Sequence, residues 1–124
     1  MNQVFLYVGA GLLVFWGAAH EFGARGAIRG FGELSTENRR VLAMEWIVEG
    51  ATLIFLGLLT TAVTLVGPVD AVLSRVVYVA VVLMLNALSA ISLFTGFRVR
   101  FLPYRLCPAV FTGASVLILL GAVV

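Results

Sequence analysis

Residues 41–66 read VLAMEWIVEGATLIFLGLLTTAVTLV, an apolar run that charge interrupts only at Glu45 and Glu49. A helix needs about 20 such residues to cross the hydrocarbon core of a bilayer. Residues 4–19, 71–94 and 106–124 have the same character. We therefore predict one all-α transmembrane domain over residues 1–124, an integral membrane four-helix bundle. Its predicted helices cover residues 4–20, 37–66, 70–95 and 104–124, and a polar loop covers residues 21–36.

The composition agrees with this fold class. The chain has 124 residues, of which 62% are apolar and 11% are charged. An ordinary soluble domain is about 45–50% apolar and about 25% charged. A domain of this size buries only about two-thirds of its surface, so a soluble fold would leave much of the excess in water. We expect a multi-pass protein of the cell membrane, and the absence of a basic patch interleaved with aromatic residues argues against nucleic-acid binding.

The arginine residues predict the orientation. Seven of them lie in the segments 21–40 and 95–105, which fall on the same side of the membrane, and the other side has only Arg75. The positive-inside rule therefore places both arginine-rich loops in the cytoplasm and both termini on the opposite side. The first segment lacks the positive region of a signal peptide and is interpreted as a retained span. Ser35 or Thr36 is expected to cap the second helix, and Asp70 the third.

Polar side chains concentrate in the cytoplasmic half of the predicted bundle. Glu45 and Glu49 are four residues apart and share a helix face, while His20 ends the first helix on the same side. Ionisable groups inside a membrane are costly and usually mark a functional site. The other polar or aromatic candidates at this level are Trp46, Asn86, Ser89, Tyr104 and Arg105. The outer half is nearly free of polar groups apart from Thr60, Thr61, Thr64 and Arg75. We therefore predict that the four helices together form a polar pocket near the cytoplasmic leaflet.

Each candidate has a predicted role and a structural alternative. Glu49, Glu45 and His20 are assigned to acid/base chemistry, and the five other residues to ligand binding. The two carboxylates repel each other in a low dielectric, so either one keeps its proton or an Arg side chain neutralises the pair. Glu45 could instead face the headgroups, His20 could bond a helix-end carbonyl, and Asn86 could only join two helices. Cys107 is interpreted as a small buried hydrophobe.

Metal and cofactor chemistry receive little support from the sequence. One His and one Cys cannot supply the four ligands of a structural zinc site, and we predict no metal ligands. Haem on His20 would need a second ligand from elsewhere. The lone Cys107 also excludes a dithiol pair within the chain. No cofactor can be named.

Three functions remain open. The first is binding of a lipophilic molecule, such as a quinone, an isoprenoid or a sterol-like lipid, with acid/base chemistry on it in the polar pocket. The second is a non-catalytic accessory or assembly subunit of a larger membrane complex. The third is a proton-coupled small transporter. This function is less favoured because no polar stripe reaches the outer surface. Expected partners besides the ligand are the bilayer and either a second copy or another membrane subunit.

Several short motifs resemble those of the DoxX-like small four-helix membrane proteins. They are Gly17-Ala18-Ala19-His20 at the end of the first span, a glycine-rich loop, Met44-Glu45-Trp46 and Glu49-Gly50. The resemblance implies the four-helix fold. It also implies a link either to quinone or thiol redox systems or to the assembly of partner proteins. The single cysteine fits the thiol chemistry of that group poorly.

Overall fold

The computed structural model describes residues 1–68 and 71–124, which form four α-helices and no strand. The helices are α1 (Gln3–Arg29), α2 (Thr36–Val66), α3 (Val72–Phe94) and α4 (Leu102–Val123), with a 3-10 turn at Gly96–Arg98. All four are long and apolar enough to cross a membrane. The prediction of an all-α bundle of four candidate membrane helices is therefore confirmed.

The C-terminal end of α1 differs from the prediction. The helix continues to Arg29, so most of the predicted polar loop 21–36 is helical and only residues 30–35 connect α1 to α2. Each glycine inside a helix costs about 1 kcal/mol relative to alanine. Tertiary packing offsets this cost, because Ala24 and Ala27 are buried against Trp46 of α2. The chain then turns at Gly32, whose φ of 77° favours glycine.

Two of the four helices begin with a side-chain cap, whereas the N-cap residues of α3 and α4, Ala71 and Phe101, make no side-chain cap hydrogen bond. Ser35 caps α2 as predicted, and its side-chain oxygen accepts a hydrogen bond from the Asn38 amide at 3.1 Å. Asn2 caps α1 in the same way, accepting from the Val4 amide at 3.0 Å. The predicted cap Asp70 lies outside the described residues.

Glycine contacts determine how closely the helices approach. A β-carbon on Gly17 of α1 would lie 2.6 Å from the Gly50 carbonyl oxygen of α2, and one on Gly57 would lie 2.7 Å from the Ala10 carbonyl oxygen. Because glycine has no side chain, the α1 and α2 backbones can come into contact at these positions. Helix α1 also packs on α4, and α4 on α3, whereas α2 and α3 approach each other least among the helix pairs in contact. The side of the bundle between α2 and α3 is thus its most open side.

The seven arginines of the two loops mark one end of the bundle, here called the Arg-rich end, and all seven are exposed. Towards the opposite end, the interior contains a few buried hydroxyl groups. Thr64 and Tyr78 are buried and share a hydrogen bond of 2.9 Å that joins α2 to α3. Thr64 also donates to the Thr60 carbonyl oxygen at 2.7 Å. Thr60 and Thr64 are among the few polar residues that the sequence places in this half, and their hydroxyl groups are satisfied inside the bundle.

Candidate functional site

A cavity of about 380 Å³ lies between α2 and α3 in the half of the bundle nearer the Arg-rich end. Its volume falls within the range of about 300–1,000 Å³ that is usual for small-molecule sites. Helix α2 supplies Glu45, Trp46, Val48, Glu49 and Thr52, and helix α3 supplies Met84, Leu88, Ile91, Ser92 and Thr95. His20 of α1 and Cys107 of α4 are buried at its inner end, and Tyr104 and Gly96 also line it. All four helices therefore contribute to one cavity.

His20 is the most buried ionisable side chain of the cavity, with 3% of its surface exposed. Its Nδ1 lies 2.9 Å from the carbonyl oxygen of Trp16, one turn earlier on α1. A carbonyl oxygen can only accept a hydrogen bond, so Nδ1 carries the hydrogen. In the neutral ring, Nε2 then keeps its lone pair and points towards the side chains of the other helices.

Glu49 and Cys107 approach this nitrogen from two different helices. Nε2 lies 3.6 Å from Glu49 Oε2 and 3.9 Å from Cys107 Sγ. Cys107 is buried, whereas the side chain of Glu49 is 37% exposed. One proton placed between Nε2 and Oε2 gives either a carboxylic acid facing an imidazole or a carboxylate facing an imidazolium. Both forms can exchange a proton with a molecule in the cavity.

Aromatic rings bound the cavity towards the Arg-rich end. The indole N–H of Trp46 donates to the Tyr104 hydroxyl at 3.0 Å, which links α2 to α4. The Trp46 and His20 ring centroids are 5.0 Å apart. These contacts fix the orientation of the imidazole and leave the Tyr104 oxygen with a hydrogen to donate.

Five of the predicted site residues line this cavity, namely His20, Glu45, Trp46, Glu49 and Tyr104. Within this set, Glu45 is exposed and lies outside the His20, Glu49 and Cys107 cluster. Among the described residues, no Arg forms an ion pair with either carboxylate, and the only ion pair found is that of Glu49 with His20. Neutralisation by Arg, one of the two alternatives that the sequence left open, is therefore not seen among the described residues.

Asn86, Ser89 and Arg105, which the sequence assigned to ligand binding, do not line the cavity. The Asn86 amide donates to Ser115 Oγ at 2.9 Å, and Ser89 Oγ donates to the Pro108 carbonyl oxygen at 3.1 Å. Both contacts join α3 to α4, which is the structural alternative for Asn86. Arg105 is exposed, and its Nε donates to the Phe97 carbonyl oxygen at 3.4 Å.

Cys107 and the α3 residues that line the cavity were not among the site residues predicted from the sequence. Cys107 is three residues after Tyr104, so the two share a face of α4. Leu88, Ile91, Ser92 and Thr95 follow the same helical spacing on α3. This spacing could have been read from the sequence. Which side of α3 faces α2 could not, because α3 is largely apolar on all of its faces.

No protein-family model matches the chain, and no curated protein or solved structure shows significant similarity to it. The likeness to the DoxX-like proteins therefore stays a prediction based on short motifs and helix layout.

Proposed function

We propose that the protein binds a lipophilic molecule in the cavity between α2 and α3 and acts on its polar end through His20 and Glu49. The molecule would be a quinone, an isoprenoid or a sterol-like lipid. The observation that carries the proposal is a buried imidazole facing a carboxylate at the inner end of a cavity with otherwise largely apolar walls. A mostly apolar pocket with a few convergent polar groups is the usual form of a small-molecule site.

The open side of the bundle supports entry from the bilayer. Val48, Met84 and Ile91 line the cavity and are also exposed on the outer surface. The cavity therefore reaches the surface between two helices whose outer faces would contact lipid tails. An apolar molecule could enter along this route without crossing water.

The chemistry of the inner end suits an oxygen-bearing head group. A carbonyl or hydroxyl oxygen could accept a hydrogen bond from Tyr104 or from whichever of His20 and Glu49 holds the proton. Glu49 would act as proton donor or acceptor and His20 as its partner. Glu45, exposed at the rim, would adjust the charge that the head group meets.

Native mass spectrometry of the full-length protein, released from mild detergent, tests this proposal. We expect a lipophilic molecule to copurify with the wild-type chain. The Glu49→Gln variant keeps the size of the side chain but removes its exchangeable acid proton, and we expect a several-fold lower occupancy. Circular dichroism should show unchanged helix content. A wild-type protein that carries no such molecule, even after incubation with membrane lipid extracts and quinones, would refute the proposal.

The extension of α1 favours an accessory or assembly subunit as the second candidate. Phe22, Arg25 and Arg29 occupy one face of the last turns of α1, and all three are exposed, Phe22 by 90%. Aromatic and Arg side chains are enriched at protein interfaces. Crosslinking from positions 25 and 29 in cells would capture a defined neighbour if this second function holds.

The Arg-rich end is proposed to face the cytoplasm, with the protein in the cell membrane. All seven arginines at this end are exposed, and the positive-inside rule then places Val124 outside. We expect an alkaline phosphatase fusion at Val124 to be active and a green fluorescent protein fusion there to be dark. The reverse pattern would contradict the orientation.

A further inference from the structure

We infer that His20, Glu49 and Cys107 form a binding site for a single divalent cation of the zinc type, with a free coordination position facing the cavity. One ligand atom from each residue lies within 4.8 Å of the other two. The site concerns the same cavity as the proposed function, but it does not depend on which molecule that cavity holds.

The distances from His20 Nε2 to the other two donor atoms are close to those found around a zinc ion. Tetrahedral zinc binds nitrogen and oxygen at about 2.0–2.2 Å and sulfur at about 2.3 Å, which separates N from O by about 3.4 Å and N from S by about 3.5 Å. In the structure, Nε2 lies 3.6 Å from Glu49 Oε2 and 3.9 Å from Cys107 Sγ. Shifts of a few tenths of an ångström would bring Nε2 to these separations. The donor atoms of Glu49 and Cys107, which lie within 4.8 Å of each other, would have to approach to about 3.6 Å on the ion.

The orientation of His20 is an independent indication. Only 3% of the residue's surface is exposed. Nε2 has no nitrogen or oxygen hydrogen-bond partner among the described residues, and its nearest polar contact besides Glu49 is Cys107 Sγ. Its other nitrogen donates to the Trp16 carbonyl oxygen at 2.9 Å. Histidine ligands of metals are held in this way, with one nitrogen bonded to a carbonyl group and the lone pair of the other facing the ion.

The donor set selects the metal class. One imidazole, one thiolate and one carboxylate combine soft and borderline ligands, which suits Zn²⁺ and excludes the all-oxygen sites of Mg²⁺ and Ca²⁺. Three protein ligands with a fourth, open position are characteristic of catalytic zinc rather than structural zinc. The sequence argument against metal counted only His and Cys. It missed that Glu49 of α2 completes a set whose other members come from α1 and α4.

A bound cation would take the place of the proton held by either Nε2 or the Glu49 carboxylate. Glu49 is the only one of the three ligands with partial access to solvent, so the ion would enter from its side. In the open position the ion could polarise a carbonyl or hydroxyl oxygen of a molecule in the cavity.

The test uses the full-length chain in detergent, stripped with a chelator and then loaded with Zn²⁺ or Co²⁺. We expect one Zn²⁺ per chain by plasma mass spectrometry, and with Co²⁺ an intense thiolate-to-cobalt charge-transfer band. Cys107→Ser and Glu49→Gln should each weaken binding at least about tenfold, the scale seen even for groups that only support metal ligands. Cys107→Ser should also abolish the charge-transfer band. Glu45→Gln removes the same charge one turn away from Glu49 and should keep the band and the stoichiometry.

Three results would overturn the inference. They are a wild-type chain that takes up no Zn²⁺, a Co²⁺ complex without a thiolate band, and equal losses in Glu45→Gln and Glu49→Gln, which would indicate diffuse attraction. Failure of this site is distinguishable from failure of the proposed function. A copurifying lipid that survives in Cys107→Ser, together with absent metal, would leave the lipid proposal intact.

Discussion

Ser92→Phe is expected to prevent capture of the lipophilic molecule while the bundle stays folded. Ser92 lines the cavity from α3 and is only half-buried there, so a larger side chain can rotate into the space without breaking a helix contact. A phenyl ring occupies a substantial part of a cavity of about 380 Å³. We expect the affinity for the copurifying molecule to fall at least about tenfold, which corresponds to about 1.4 kcal/mol.

Ala90→Phe is the matched control for this variant. Ala90 lies two residues away on the same helix, is exposed, and does not line the cavity. The same ring there should only meet lipid tails, so ligand occupancy should equal that of the wild type. Native mass spectrometry and thermal unfolding of both variants provide the comparison. Equal occupancy in Ser92→Phe and the wild type would show that the molecule binds elsewhere.

The number and type of the helices could be predicted because bilayer thickness fixes the length of an apolar helix. Their ends could not be predicted as well. The glycines after His20 predicted a loop, but burial of Ala24 and Ala27 against Trp46 extends α1 to Arg29. Local propensity is a weak signal, and tertiary packing overrides it.

The candidate site was predictable only in part. A charged residue within an apolar run is conspicuous, so Glu49 and His20 were identified from the sequence alone. Asn86 and Ser89 are also polar residues within an apolar run, yet they join α3 to α4. The sequence could not predict this, because residue spacing does not reveal which neighbouring helix a given face meets. Cys107 was missed for the opposite reason, since a lone cysteine has no partner that sequence spacing reveals.

Gly17→Ala is expected to separate α1 from α2 and to disrupt the site with them. The new methyl group would lie 2.6 Å from the Gly50 carbonyl oxygen and 2.9 Å from the Ile54 amide nitrogen, both backbone atoms that cannot rotate away. Overpacking costs about 1–3 kcal/mol, against a gain of about 1 kcal/mol in helix propensity. His20 follows three residues later on α1, and Glu49 precedes Gly50, so any separation lengthens the distance between Nε2 and Oε2.

Gly11→Ala isolates the steric part of this effect. Gly11 lies on the same helix, and an added β-carbon there would meet nothing within 4 Å. Both variants gain the same helix propensity, so the difference between their free energies of unfolding should equal the overpacking cost of about 1–3 kcal/mol. Thermal unfolding in detergent measures this difference, and metal or lipid occupancy should fall only in Gly17→Ala. Equal stabilities would mean that α1 and α2 do not touch at Gly17 and Gly50. The imidazole and the carboxylate would then lack the fixed separation on which both proposed activities depend.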